Sequence, residues 1–202
     1  KEDAIKKFVQ SLPFKLTDAQ RKVAWTIIKD MESAVPMNRL LQGDVGSGKT
    51  IVALIAMLNT ALNGCQAVLM APTEILAKQH FQSICKFLEK WEDVNVGLWT
   101  RSYKEARIKK QELRSKKEAM PSKKIQGKIF DSHIIIGTHA LIQEDIQFKN
   151  LAFAIVDEQH RFGVEQRKAL KGKAGDKATP FLTKEGTGKV KFPHFLSMTA
   201  TP

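Results

Sequence analysis

Gly43-Asp44-Val45-Gly46-Ser47-Gly48-Lys49-Thr50 is the stretch from which the rest of the chain becomes readable. It matches G-x-x-x-x-G-K-[ST] at every fixed position. Residues 38–42 before it, Asn38-Arg39-Leu40-Leu41-Gln42, read as a buried strand, and residues 49–63 after it read as a helix stopped by Gly64. A glycine-rich turn between a strand and a helix is a phosphate cradle. Glycines let the backbone wrap a phosphate chain and turn N–H groups inward, and the helix start adds its positive end. Gly43, Gly46, Ser47 and Gly48 supply that backbone, Lys49 a point charge for β and γ phosphates, and Thr50 a hydroxyl for Mg2+. A chance glycine-rich turn would not come with both flanking elements.

Outward from this loop, short apolar strands alternate with amphipathic helices, which predicts an α/β fold with a mostly parallel sheet. Thr17 opens a helix with Gln20 three residues on, the spacing of a capping box, and Val23, Ile27, Ile28 and Met31 follow at helical spacing. Strands are predicted over 67–71, 94–100, 134–137, 152–157 and 195–199; their unbroken apolar character suits a sheet covered on both faces. Thr73 caps a helix reaching about residue 89, and residues 103–119 read as a basic helix. Two stretches read as peripheral and mobile: 116–128, poor in apolar residues, and 172–193, rich in glycine, proline and lysine.

Ala154-Ile155-Val156 leads into Asp157-Glu158, two carboxylates at a strand end. In an open parallel sheet, ligands gather at the carboxyl ends of strands. There Asp157 would hold Mg2+ through its water shell, and Glu158 would take a proton from the attacking water. Nucleotide hydrolysis needs both near the γ phosphate, so the pair gains weight from the cradle upstream. An Asn-Lys-x-Asp guanine reader and a Ser-Gly-Gly-Gln-like signature are absent from the sequence, which argues against a GTPase and an ABC-type ATPase and leaves an ATP-driven motor or switch.

Composition sets the outer bounds. The 202 residues are 43% hydrophobic and 27% charged, which fits one folded α/β domain. The nearly apolar run 51–62 is too short to cross a bilayer, and the start at Lys1 without a leader suggests a piece of a longer, cytoplasmic protein. Cys65 and Cys85 lack CxxC spacing, which excludes a disulfide or zinc scaffold. The net charge of +12 is concentrated in 101–128, with 11 Lys/Arg against 3 acids, and 171–191, with 6 against 2. Charge gathered in this way suits a nucleic-acid partner as well as it suits a solvated surface.

Asp157-Glu158-Gln159-His160 resembles the DExH box of superfamily 2 helicases. Further blocks resemble the RecG family of bacterial branch-migration helicases. They are Pro36 through Gln42 leading into the cradle, Met70-Ala71-Pro72-Thr73-Glu74-Ile75-Leu76-Ala77 with Gln79-His80, Gly137-Thr138-His139-Ala140-Leu141-Ile142, and Asp157 through Gln166. Ser197-Met198-Thr199-Ala200-Thr201-Pro202 resembles helicase motif III. The related transcription-repair coupling translocase usually differs after the acidic pair and at the position of Ser47.

The resemblance implies a three-layer P-loop NTPase lobe of RecA-like fold over 12–202, with 1–11 as a linker helix from a wedge domain. It implies ATP and Mg2+ as ligands and forked or Holliday-junction DNA as partner, in replication-fork repair and recombination, with the protein working as a monomer. Catalytic roles fall on Lys49, Asp157 and Glu158, and adenine contact on Gln20, in competition with the capping box. Coupling falls on His160, Thr199 and Thr201, and strand contact on Pro72, Thr73, Thr138 and His139. In this family a second RecA-like lobe supplies an arginine for hydrolysis, so this piece is expected to be nearly inactive by itself. The competing readings are the coupling translocase and a nucleotide switch that binds a protein partner.

Overall fold

The computed structural model describes residues 1–33, 35–108, 111–115, 123–143, 146–158, 179–183, 186–190 and 193–200. Among the described residues ten strands and six helices follow in the order α1 (Glu2–Gln10), α2 (Asp18–Met31), β1 (Asn38–Gln42), α3 (Lys49–Leu62), β2 (Gln66–Met70), α4 (Glu74–Phe87), β3 (Val96–Trp99), β4 (Lys104–Ile108), β5 (Gln111–Ser115), α5 (Lys123–Phe130), β6 (Ile134–Gly137), α6 (Ala140–Gln143), β7 (Leu151–Asp157), β8 (Thr179–Thr183), β9 (Gly186–Val190) and β10 (His194–Thr199). Eight strands form one sheet in the order β1-β10-β7-β2-β6-β3-β4-β5. From β1 to β3 every pairing is parallel; β4 and β5 extend the sheet antiparallel.

Side chains alternate across the strands and fill two cores, which makes three layers. Ala67, Leu69, Ile134, Ile136, Phe153, Ile155, Leu196 and Met198 face a core shared with α1 to α4. Val68, Met70, Ile135, Ala154, Val156 and Phe195 face the opposite core, closed by Ile129 and Phe130 of α5 and Ala140 and Leu141 of α6. The unbroken apolar runs predicted this double coverage. α3 is apolar on nearly all sides and is correspondingly buried along most of its length.

The helix over 1–11 is present as α1. Its Ile5 and Phe8 enter the first core, and the Phe8 ring meets Trp91 edge-on at 6.0 Å. Among the described residues no helix is long and apolar enough to cross a membrane.

Four expectations are corrected. β1 is not a buried strand: among the described residues it is the sheet edge, paired to β10 alone, and Leu40 is 54% exposed. Within the basic stretch read as a helix over 103–119, residues 104–108 and 111–115 are instead the antiparallel pair β4–β5; residues 109–110 and 116–119 lie outside the described residues. The Lys, Glu, Ala and Arg of β4 favour helix intrinsically, but pairing with β3 overrides a weak propensity. Within the stretch 172–193, residues 179–183 and 186–190 are not loop, since β8 and β9 form a two-stranded antiparallel ladder, and 172–178, 184–185 and 191–192 lie outside the described residues. Thr, Phe, Leu and Val supply the strand preference that the surrounding Gly, Pro and Lys obscured, and Pro180 is tolerated because a two-stranded ladder is all edge. Likewise the peripheral stretch 116–128 overlaps α5, whose end is in the second core; residues 116–122 lie outside the described residues.

Candidate functional site

Gly43 leaves β1 and its N–H donates to the Thr199 carbonyl at 3.4 Å, which ties the loop root to the end of β10. Within the loop, Ser47 N–H donates to the Asp44 carbonyl at 3.0 Å. Gly46 and Gly48 both have φ of +81°, the left-handed region that side chains resist. Gly48 is doubly constrained: a Cβ there would land on the Gln20 amide. Gly48 is also the N-cap of α3. The first N–H groups of any helix lack intrahelical partners, so α3 aims donors and a positive dipole end into the loop.

The Lys49 ammonium folds back on the loop, donating to the carbonyls of Gly43 at 2.5 Å and Asp44 at 2.8 Å. An ammonium has three donors, so these two bonds leave one for another acceptor. Thr50 follows in the first turn of α3.

Gln20 satisfies the capping box and does more. Its Oε1 accepts from Thr17 N–H at 2.9 Å, and Thr17 Oγ1 accepts from Gln20 N–H at 3.2 Å. Its Nε2 donates to the Ser47 carbonyl at 2.9 Å, so one amide joins the α2 start to the loop. These bonds leave one N–H and one lone pair of that amide for another group.

Asp157 ends β7, with Glu158 just beyond. Among the described residues Glu158 is the one non-glycine with positive φ, +56°. Such a backbone costs on the order of 1–3 kcal/mol and persists where surrounding structure enforces it. Asp157 Oδ2 lies 2.9 Å from His80 Nε2, with the two side chains 14% and 13% exposed. His80 was absent from the sequence-derived site. Its signal is its place at the end of the block from Met70 to His80 that carries the family resemblance.

Thr73 Oγ1 accepts from Leu76 N–H at 3.2 Å as the N-cap of α4, and the residue is exposed. The Ala71 N–H donates to the Gly137 carbonyl at 2.8 Å, so Pro72-Thr73 and Thr138-His139 follow neighbouring strand ends. Thr138 is 8% exposed, and its hydroxyl accepts from the Ala140 N–H at 3.5 Å. Thr199 is 6% exposed and donates to the Ala200 carbonyl at 3.0 Å. His160 and Thr201 lie outside the described residues.

Sheet order brings these separate motifs into one row. Along β1, β10, β7, β2 and β6 the carboxyl ends carry in turn the loop at Gly43, Thr199-Ala200, Asp157-Glu158, Pro72-Thr73 and Thr138-His139. At about 4.8 Å per strand, β1 and β7 are about 10 Å apart. A cavity of about 590 Å3 lies elsewhere, between α1, α2 and α3, with Ile5, Trp25, Ile28 and Met31 in its wall. It also reaches Cys65 and Ala152, near the amino ends of β2 and β7, so it is separate from the row.

The sequence profile of the DEAD/DEAH box helicases matches residues 17–202. The ATP-dependent DNA helicase RecG of Bacillus subtilis is 51% identical over 181 residues, which are 90% of this chain and 25% of that protein. RecG of Aquifex aeolicus is 45% identical over 201 residues, 100% of this chain and 22% of that protein. The chain thus spans about a quarter of the length of these curated relatives. A solved structure of RecG bound to a three-way DNA junction superposes with a TM-score of 0.72 at 38% identity, covering 100% of this chain and 23% of that one. The DEAD-box helicase Mss116 bound to single-stranded RNA shares the fold, with a TM-score of 0.62 at 20% identity over 98% of this chain and 38% of that one.

Proposed function

The chain belongs to the DEAD/DEAH box helicase family, and from that membership we propose that it is the ATP-binding motor lobe of a RecG-type DNA helicase. The row of five strand ends carries this reading. It sets a phosphate cradle two strands from an acidic pair, and continues without a break into the exposed, N-capped start of α4. A nucleotide switch needs the first half of that row; a motor needs both.

ATP would lie with its phosphates along the 43–50 loop, held by the α3 start and the Lys49 ammonium. Its adenine would meet the remaining donor and acceptor of Gln20. Thr50 and Asp157 are the residues that would hold Mg2+. They fit it: both offer hard oxygen donors, and about 10 Å between the strands leaves room for a phosphate chain and a hydrated ion. Among the described residues no three His, Cys, Asp or Glu side chains form a protein cage, in keeping with an ion held largely by phosphate and water. When bound, Mg2+ neutralises charge developing on the phosphates. Glu158 would accept the proton of the attacking water, its backbone bent out of strand geometry just past Asp157.

The Pro72-Thr73 and Thr138-His139 segments would meet DNA phosphates through the Thr73 hydroxyl, main-chain N–H groups and the His139 ring, with Pro72 shaping the turn. Thr138 would contribute its main chain, since its hydroxyl is bonded inward. His160, Thr199 and Thr201 would connect nucleotide state to that track. A second RecA-like lobe and a wedge domain complete the machine, which moves along forked or Holliday-junction DNA in the cytoplasm.

The test is nucleotide titration of the chain and of Lys49→Ala. The wild type is expected to bind Mg-ATP, and the variant to lose at least about tenfold in affinity, the worth of one charge-assisted phosphate contact. Absence of Mg-nucleotide binding by the wild type overturns the motor reading.

A further inference from the structure

We propose that His80 is a positioning residue for Asp157: its Nε2–H holds Oδ2 so that the rest of the carboxylate is presented to the hydrated Mg2+ of the nucleotide. This rests on the nucleotide reading above. The contact joins residues 77 positions apart, at 2.9 Å, with both side chains largely shielded from water. An ionised carboxylate only accepts, so Nε2 carries the proton in this bond.

The supporting scaffold is rigid. Ala77, Phe81 and Ile84 pin α4 to the first core, and His80 projects from the same two turns. Asp157 sits on β7, which is hydrogen-bonded on both sides, to β10 and β2. Two fixed elements therefore define the imidazole–carboxylate geometry before any ligand arrives. One Asp157 oxygen is engaged by His80; Oδ1 is the atom this bond leaves for an ion or its water. Partners that orient a metal-holding group commonly matter about 10–100-fold to metal affinity. Without His80 the carboxylate would rotate freely about its terminal torsion, which is broad and roughly two-fold.

The alternative is that His80 serves only to satisfy a shielded carboxylate. The two are separated by measuring ADP affinity of the chain by calorimetry in excess Mg2+ and in EDTA. The quantity read is the ratio, the gain in affinity that Mg2+ confers. For His80→Ala we expect that gain to fall about tenfold while affinity in EDTA stays within about twofold. His80→Gln places an amide N–H near the Nε2 position and should keep the gain within about threefold of wild type. An unchanged gain in His80→Ala overturns the proposal. So does a parallel loss in Mg2+ and in EDTA, or a Gln variant no better than Ala. A wild type that binds ADP under neither condition overturns the nucleotide reading and this proposal together; a wild type that binds normally, with an Ala variant that matches it, removes only the proposal.

Discussion

Gln20 holds two things with one amide, the start of α2 and the carbonyl of Ser47. Gln20→Glu separates them. A carboxylate still accepts from Thr17 N–H, but it cannot donate to Ser47 and faces the phosphates with like charge. Fold stability should stay within about 0.5 kcal/mol, since the cap survives. ATP affinity should fall about tenfold, the scale of a lost charge-compatible hydrogen bond. Comparing ATP with GTP divides the cause: loss for both alike assigns it to the loop, and loss for ATP alone assigns it to adenine contact. His194 gives a different kind of prediction. It is wholly buried, its Nδ1 accepts from Met37 N–H at 2.9 Å, and burial lowers its pKa from 6.5 to about 4 against a weaker opposing pull from Asp30. The unfolded chain therefore takes up a proton near pH 6.5 that the folded chain refuses until about pH 4. Above pH 6.5 His194 is neutral in both states and adds no pH dependence; between those values stability falls with pH by about 3 kcal/mol in all. His194→Asn keeps an acceptor for Met37 and removes the titration, so denaturant unfolding from pH 7 to 4.5 should show a flatter curve. The sequence exposed Gln20 through its spacing from Thr17, whereas nothing local marked His194, whose environment comes from a partner strand 157 residues away.

At the scale of elements, the sequence was most legible where burial decides. β2, β6, β7 and β10 are fully or almost fully buried, and their apolar runs announced it. It was least legible where pairing with a neighbour decides. The run Lys104-Glu105-Ala106-Arg107-Ile108 carries helix-forming residues, yet it is β4 because β3 offers a free antiparallel edge. Its charge is also partly spent inside. Arg107 is 7% exposed, and its guanidinium donates to the carbonyl of Leu88 at 2.6 Å, just past the end of α4, and to that of Val94 at 3.4 Å. A helix end leaves its last carbonyls without intrahelical partners; the Leu88 carbonyl accepts one bond from the Trp91 N–H at 2.8 Å, and Arg107 supplies a second. Arg107→Leu should destabilise the chain by about 2–3 kcal/mol, because a buried charged donor to the Leu88 and Val94 carbonyls is lost. Denaturant unfolding measures that loss. The same variant should leave the salt dependence of DNA binding unchanged, since a buried guanidinium meets no phosphate. A reduced salt slope would return Arg107 to the nucleic-acid surface and remove its assignment to α4.

Across the whole molecule, each motif was readable by itself because its chemistry demands local spacing, as with Gly43 to Thr50 or Asp157-Glu158. Their order in the row was not readable, because β10, last in sequence, inserts between β1 and β7. That insertion places Thr199 beside the loop root and sets the distance from Lys49 to Asp157. It also leaves the row open at the edge strand β1, with Leu40 in water and Val45 of the loop 89% exposed. A phosphate chain lying there meets this lobe on one side only. Hydrolysis then needs charge stabilisation from the facing side, worth on the order of 10³ to 10⁵ in rate where an arginine supplies it. Binding and turnover should therefore separate according to whether a facing lobe is present. The chain by itself should bind Mg-ATP and single-stranded DNA, the latter weakening steeply with salt because phosphate contacts release counterions. Its ATPase rate should stay near background with or without DNA. A longer chain with the second lobe should gain on the order of 10³ in DNA-stimulated rate, and Lys49→Ala in that longer chain should abolish the gain while DNA affinity stays largely intact. Steady-state phosphate release measures both arms. Vigorous DNA-stimulated turnover by the single lobe would mean that the row already contains every catalytic group, and the need for a facing lobe would fall.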